Sequence, residues 1–287
     1  MAGNADDLTA GEATSSRAVV GGRNLPVAIA VGVLLASLFL GSLFWDPIAF
    51  TGVVALVMVV AIIEAHRVLR VVGYPLQVQV LLLATVVMLF GAYQLGHTGQ
   101  AIGVLVLFVG TLLWQLIDGT QDTAVHAMAT TVFFGLWVGF LGSFAVLLVR
   151  QPGVGVVAVV AVIGAAILAD IGGYAFGVTF GRHKLAPRVS PNKSWEGLIG
   201  GLLVATVAGA SILPLLDEQF TPLIGATIAV AAAAASAVGD LAESMIKRDL
   251  GVKDLGGVLP GHGGILDRVD GILLALPVGY VAAALLL

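Results

Sequence analysis

The sequence has no cysteine, which excludes disulfide staples, thiolate metal ligands and cysteine nucleophiles and leaves the redox state of its compartment open. Charge is scarce as well. Lys, Arg, Asp and Glu make up 10% of 287 residues, where a soluble domain carries about 25%. Mean hydropathy is +1.07. No water-soluble domain of useful size can be cut from such a chain, so it reads as an all-α polytopic membrane protein. Glycine is plentiful, with 38 residues, as expected where helices pack closely in lipid. The net charge of −4 says less than where the charges lie.

Residues 1–24 are small and polar and lack an apolar run after an early positive cluster, so they do not read as a signal peptide. Their composition predicts a disordered cytoplasmic tail. Beyond it, helices of roughly 20 apolar residues are long enough to cross a bilayer. Nine candidates follow: 25–44, 47–65, 76–94, 100–117, 124–149, 153–178, 197–215, 222–246 and 265–287. The first two are parted only by Trp45-Asp46-Pro47. No repeat stands out, nor any inverted pair of broken helices of the transporter type. The expected organisation is an N-terminal transmembrane bundle over 25–149 and a C-terminal catalytic region over 150–287. The latter would present inner loops 179–196 and 247–264.

Lys and Arg give the orientation. With nine crossings and a cytoplasmic N-terminus, the inner side collects Arg17, Arg23, Arg67, Arg70, Arg182, Lys184, Arg188, Lys193, Lys247, Arg248, Lys253 and Arg268, and the outer side Arg150 alone. Flipping the chain would invert that bias and losing one early span would scramble it. Count and orientation therefore support each other.

The densest polar stretch is Ser244 to Asp270, SMIKRDLGVKDLGGVLPGHGGILDRVD. It holds Lys247, Arg248, Asp249, Lys253, Asp254, Asp267, Arg268 and Asp270, with Glu243 just ahead. Asp240 and Glu243 stand at i and i+3 near the end of one span, and Ser244 and Lys247 continue that face. Asp267 and Asp270 repeat the spacing at the start of the next span. Asp170 lies inside the sixth span, about two turns from its inner end. An ionisable group at that depth costs several kcal/mol, on the order of 3, unless it faces a partner or a wet cavity. Structural ion pairing with Lys247, Arg248 and Arg268 is one explanation. Helix capping explains Asp267 but not Asp170 or Asp240, which lie toward C-terminal helix ends. Five carboxylates at one depth, paired cations and a Gly-rich turn at a helix start suit a cation shared with phosphates.

The loop 179–196 adds Ser190-Pro191-Asn192-Lys193-Ser194, placed on a turn, after Arg182, His183, Lys184 and Arg188. Basic groups flush with the leaflet also bind anionic lipid without catalysis. Glu64, His66 and Arg67 read as a solvated helix end. Asp118, Asp122 and His126 read as loop solvation. His262, between glycines, is a candidate proton donor or a contact to phosphate or base.

These residues resemble a known family. The pattern Ser244-x2-Lys247-Arg248-x4-Lys253-Asp254-x-Gly256-x2-Leu259-Pro260-x-His262-Gly263-Gly264-x2-Asp267-Arg268-x-Asp270 is similar to the signature of phosphatidate cytidylyltransferases, the CDP-diacylglycerol synthases. Asp170 through Gly197 resembles that family's other inner segment, with Gly173 where many relatives have Ala. Together the two cover roughly the C-terminal 120 residues. The N-terminal half matches only as a stack of spans.

The resemblance implies an inner-membrane enzyme of phospholipid biosynthesis with its active site on the cytoplasmic side. It would turn CTP and phosphatidic acid into CDP-diacylglycerol and pyrophosphate. It further implies Mg2+, with a monovalent cation such as K+ as a candidate second ion, and a homodimer; no nucleic acid is expected as a partner. The family's essential acids fall on Asp240 and Asp267, expected as metal ligands, with Asp270 and Glu243 beside them. Lys247, Arg248, Asp267, Arg268 and His262 take the catalytic roles. Ser190, Lys193, Ser244, Lys253, Gly263, Gly264 and Asp170 are expected to bind substrate. A CTP-dependent lipid kinase of the dolichol-kinase type would use the same nucleotide but move its γ-phosphate. An ion or lipid transporter would line a pathway with the same acids but would not need the Gly-His-Gly-Gly turn. A non-catalytic anionic-lipid binder would survive loss of one carboxylate.

Overall fold

The computed structural model describes residues 25–118, 123–258 and 263–287. The tail over 1–24, Asp122 and His262 lie outside the described residues. Among the described residues there are nine helices: α1 (Leu25–Trp45), α2 (Pro47–Val71), α3 (Val78–Leu95), α4 (His97–Asp118), α5 (Ala124–Val149), α6 (Gly155–Phe180), α7 (Trp195–Leu216), α8 (Pro222–Asp249) and α9 (Leu266–Leu286). Among the described residues eight of them, α2 to α9, are long and apolar enough to cross a membrane, and the described part of α1, Ala30–Trp45, is a shorter apolar helix. The chain is therefore built as an integral membrane protein. Within α5 the turn Gly135–Phe140 widens to π-helical bonding.

The helix starts follow from their caps. Asp46 accepts from Ile48 N at 2.7 Å with Pro47 at the first helical position, which separates α1 from α2. Thr221 and Pro222 do the same for α8, with Thr221 Oγ1 accepting from Ile224 N at 3.3 Å. Ser194 caps α7 by accepting from Gly197 N at 3.1 Å.

Two expectations change. Helix α8 runs through Asp249 rather than stopping near 246, so Lys247 and Arg248 are helical residues and not part of a loop. Residues 190–194 form a strand rather than a turn. They make β2 (Ser190–Ser194), antiparallel to β1 (Lys184–Ala186), with Lys184 opposite Ser194 and Ala186 opposite Ser190. This hairpin is the only strand structure among the described residues. Its base is tied by Glu196, which accepts from Arg182 N at 3.1 Å, from His183 N at 3.2 Å, and pairs with His183 Nδ1 at 2.6 Å.

Helices α6 and α8 each pack against α7, against α9 and against one another, and α9 also packs against α2 and the second half of α5. Small residues set the spacing between α6 and α7. A Cβ at Gly201 would overlap the Ala169 carbonyl, so only glycine lets the backbones approach this closely. At Gly173 the nearest atom to an added Cβ is Gly197 O at 3.5 Å, an ordinary contact, so an alanine would fit there. Gly201→Val should cost about 1–3 kcal/mol by overpacking. It should show as a lower thermal midpoint of the purified protein in detergent. An unchanged midpoint would mean that α6 and α7 do not meet at Gly201.

Candidate active site at one end of the bundle

Odd and even helices run in opposite directions, so the C-terminal ends of α2, α6 and α8 share one face of the bundle with the start of α9. Contacts confirm it. Arg248 Nε donates to Val189 O at 3.4 Å, joining α8 to the hairpin. The opposite end carries His97 and Tyr280, bonded at 2.9 Å, and Arg150 stacked over Tyr93 at 4.7 Å. The charge-rich segments therefore lie together.

They form two adjoining clusters. The first lines a cleft of about 630 Å3 between α6, α7, α8 and the hairpin. Asp170, Ser190, Asn192, Lys193 and Asp240 supply its polar groups, while Gly173, Tyr174, Gly177, Ala233 and Ala237 supply smooth apolar wall. Lys193 reaches from β2 to form an ion pair with Asp240 Oδ2 on α8. The hairpin is what brings Lys193 there, because β2 runs along the cleft and Ser190, Asn192, Lys193 and Ser194 all line it. Ser244 Oγ lies 3.5 Å from Asp240 Oδ1, one helical turn on. Asp170 is near enough to Asp240, Asp270 and Lys193 for their charges to act on it.

The second cluster sits between α8 and α9. Lys247 pairs with Glu243 on its own helix and with Asp267 Oδ1 at 3.1 Å on α9. Glu243 is fully buried, and neither of its oxygens has a hydrogen-bond partner beyond that ion pair. Asp267 also accepts from Leu255 N at 3.0 Å and Gly264 N at 3.2 Å. From the first turn of α9 it holds the loop before the helix. Gly263, at φ +86°, adopts the left-handed conformation that glycine enters without strain. Asp270 lies within electrostatic range of Glu243, Asp240 and Lys247.

Of the residues singled out in the sequence, Asp170, Ser190, Lys193, Asp240, Glu243, Ser244, Lys247, Asp267 and Asp270 thus converge, with Gly263 and Gly264 at the edge of the second cluster. Arg248 and Lys253 are exposed at the surface of this end. Arg268 does not line the cleft of the first cluster, but its guanidinium stands beside Gly263, 3.9 Å from where a Cβ on that residue would lie. It is among the residues lining a separate, apolar cavity of about 420 Å3 between α1, α2, α6 and α9.

One expectation fails outright. Glu64 is not a solvated helix end. It is only 2% exposed, and its carboxylate accepts from Gly257 N at 3.0 Å, Val258 N at 2.7 Å and Ile265 N at 2.6 Å. The signal was present: Glu64 lies between fully buried Ala61, Ile62 and Ala65, on the face α2 turns inward.

A cation fits this donor set in kind and charge. Asp170, Asp240, Glu243, Asp267 and Asp270 are hard oxygen donors, three of which meet a lysine: Asp240 pairs with Lys193, and Glu243 and Asp267 share Lys247. Among the described residues no three acidic or histidine side chains form a ready cage for a metal. Mg2+ needs none, because it is held by one or two carboxylates together with substrate phosphates and water.

Lys247 joins two carboxylates, so Lys247→Met should destabilise the protein by about 3–5 kcal/mol by leaving them uncompensated. Adding Glu243→Gln should restore part of that loss. Thermal unfolding of the three variants in detergent reads both effects, and strictly additive losses would show that the bridge is not formed.

Comparison with known proteins agrees with the geometry. Residues 26–286 match the model of a family described as the cytidylyltransferase family. A phosphatidate cytidylyltransferase of Mycobacterium leprae is 36% identical over 280 residues, covering 92% of this chain and 89% of the relative. One from Mycobacterium tuberculosis is 37% identical over 277 residues, covering 92% and 84%. One from Haemophilus influenzae is 48% identical over 115 residues, covering 38% and 39%.

Proposed function

The chain belongs to the cytidylyltransferase family, and on that premise we propose that it makes CDP-diacylglycerol and pyrophosphate from CTP and phosphatidic acid, in phospholipid biosynthesis. Relatives named phosphatidate cytidylyltransferase, similar over 92% of the chain, support this activity. The observation that carries it structurally is the cleft itself. It has a polar floor of Asp170, Lys193 and Asp240 and apolar walls, and it lies beside a second cluster rich in carboxylates. That pairing suits one water-soluble polyanion and one anionic amphiphile, as the reaction requires.

A phosphate oxygen of phosphatidic acid attacks the α-phosphorus of CTP. The bond from that phosphorus to the bridging oxygen breaks, and its electron pair leaves on pyrophosphate. The attacking phosphomonoester is already largely ionised at neutral pH, its second pKa being about 6, so no strong base is required of the protein. Positioning and charge neutralisation are the tasks left. Lys193 and Ser190 meet the lipid phosphate at the cleft floor. Lys247 neutralises the nucleotide phosphates, and Gly263 and Gly264 stand beside them at the start of α9, where Gly264 N is held by Asp267. Arg248 and Lys253 add positive charge at the rim. Asp240 and Asp267, with Asp270 and Glu243 beside them, would hold Mg2+, which supplies charge neutralisation for the phosphates when bound.

The excess of Lys and Arg at this end, against Arg150 at the other, supports a cytoplasmic active site and a cytoplasmic N-terminus in an inner membrane. A homodimer is part of the same reading, as the family resemblance implies.

Purified protein with Mg2+, phosphatidic acid and CTP labelled at the α-phosphate should release pyrophosphate and place the label in lipid. Label left in CDP would instead mark a kinase. Asp267→Asn should lower turnover at least about a hundredfold while the protein still inserts and purifies; normal turnover by that variant would remove Asp267 from the site.

A further inference from the structure

The loop between α8 and α9 has two limbs, Leu255–Val258 and Gly263–Ile265, and two carboxylates each bind both. Asp267 accepts from Leu255 N on the first limb and Gly264 N on the second. Glu64 accepts from Gly257 N and Val258 N with Oε1 and from Ile265 N with Oε2. Glu64 comes from α2, far away in sequence and otherwise outside the site. A buried carboxylate is costly unless donors surround it, and here three backbone N–H groups do so. The packing is tight enough to constrain sequence. A Cβ at Gly256 would stand 2.6 Å from both Glu64 oxygens, and one at Gly264 would stand 2.8 Å from Gly256 Cα and 2.6 Å from Asp267 Oδ2. The limbs therefore touch each other through glycine, with one carboxylate on each side.

We propose that Glu64 is a positioning residue for the transfer reaction: it clamps the two limbs of the α8–α9 loop so that Asp267 and Lys247 are held in place for the nucleotide phosphates. The inference rests on the reading of that loop as part of the nucleotide site. Glu64 touches no substrate; it acts through the backbone that Asp267 also holds. Glutamine would keep the shape but turn an N–H2 group toward one of the limbs, which offers only N–H donors there.

The test uses the full-length protein in detergent. In Glu64→Gln, hydrogen exchange should rise at Gly257, Val258 and Ile265 while the helices stay protected. Its kcat should fall roughly tenfold to a hundredfold, the size expected for a lost charge-assisted bond. The KM for phosphatidic acid should stay within about twofold, because the cleft residues do not touch Glu64. Gly256→Ala should reproduce the loss, yet add nothing to Glu64→Ala, where the carboxylate it collides with is gone. Unchanged exchange at the three amides, turnover within about threefold of wild type, helix-wide loss of protection, or additive losses in the double variant would each overturn the clamp. Should the wild-type protein release no pyrophosphate, the functional reading fails, and the exchange measurement still decides whether Glu64 holds the limbs.

Discussion

Burying charge in a membrane protein demands a partner for every charge, and the rest of this structure is arranged around that demand at the junction of α8 and α9. Lys247 answers it by bridging Glu243 on one helix and Asp267 on the next. The bridge ties the two helices together, and Asp267 in turn ties down the loop between them. Lys193 repeats the solution from the hairpin, meeting Asp240 one turn before Glu243. Without these lysines five carboxylates from three helices would face one another at the same depth.

The same arrangement explains why a nucleotide-using enzyme needs so much bilayer-spanning structure. The lipid substrate carries a phosphate that must reach the cations and chains that must stay in an apolar setting. The cleft offers both, since its glycine- and alanine-lined walls are extended by Tyr174 and Val178 on α6. The ion pairs with Asp240, Glu243 and Asp267 also keep the lysines poised where incoming phosphates can compete for them. Phosphates and a divalent cation arriving together would exchange one set of charge partners for another at little net change.

How much of this was legible in the sequence depended on the kind of signal. Spans were plain because twenty apolar residues leave few alternatives, and Asp46-Pro47 and Thr221-Pro222 marked helix starts chemically. Asp240, Glu243, Lys247 and Asp267 were legible because charge is so rare in this chain that i, i+3 spacing stands out. The hairpin was not: β1 and β2 hold only three and five residues, too short for an alternating pattern, and Pro191 suggested a turn. Its base is held by Glu196, which meets Arg182 and His183, a contact that no local pattern reveals. Glu64 was misread for a related reason. A lone acid near the end of a span looks like a solvated terminus, and its partners are backbone N–H groups about 200 residues away in sequence. Backbone donors leave no mark in composition. Only the burial of Ala61, Ile62 and Ala65 around it would have argued for an inward-facing group.

The central claim is where the nucleotide and the proposed Mg2+ sit. The direct measurement is an experimental structure with CTP bound and Mn2+ in place of Mg2+, located by its anomalous scattering. The account predicts a single metal peak between α8 and α9, in contact with a carboxylate among Asp240, Asp267 and Asp270 and with the nucleotide phosphates. Nucleotide and metal bound at the opposite end, near His97 and Tyr280, or a metal touching none of those carboxylates, would contradict it.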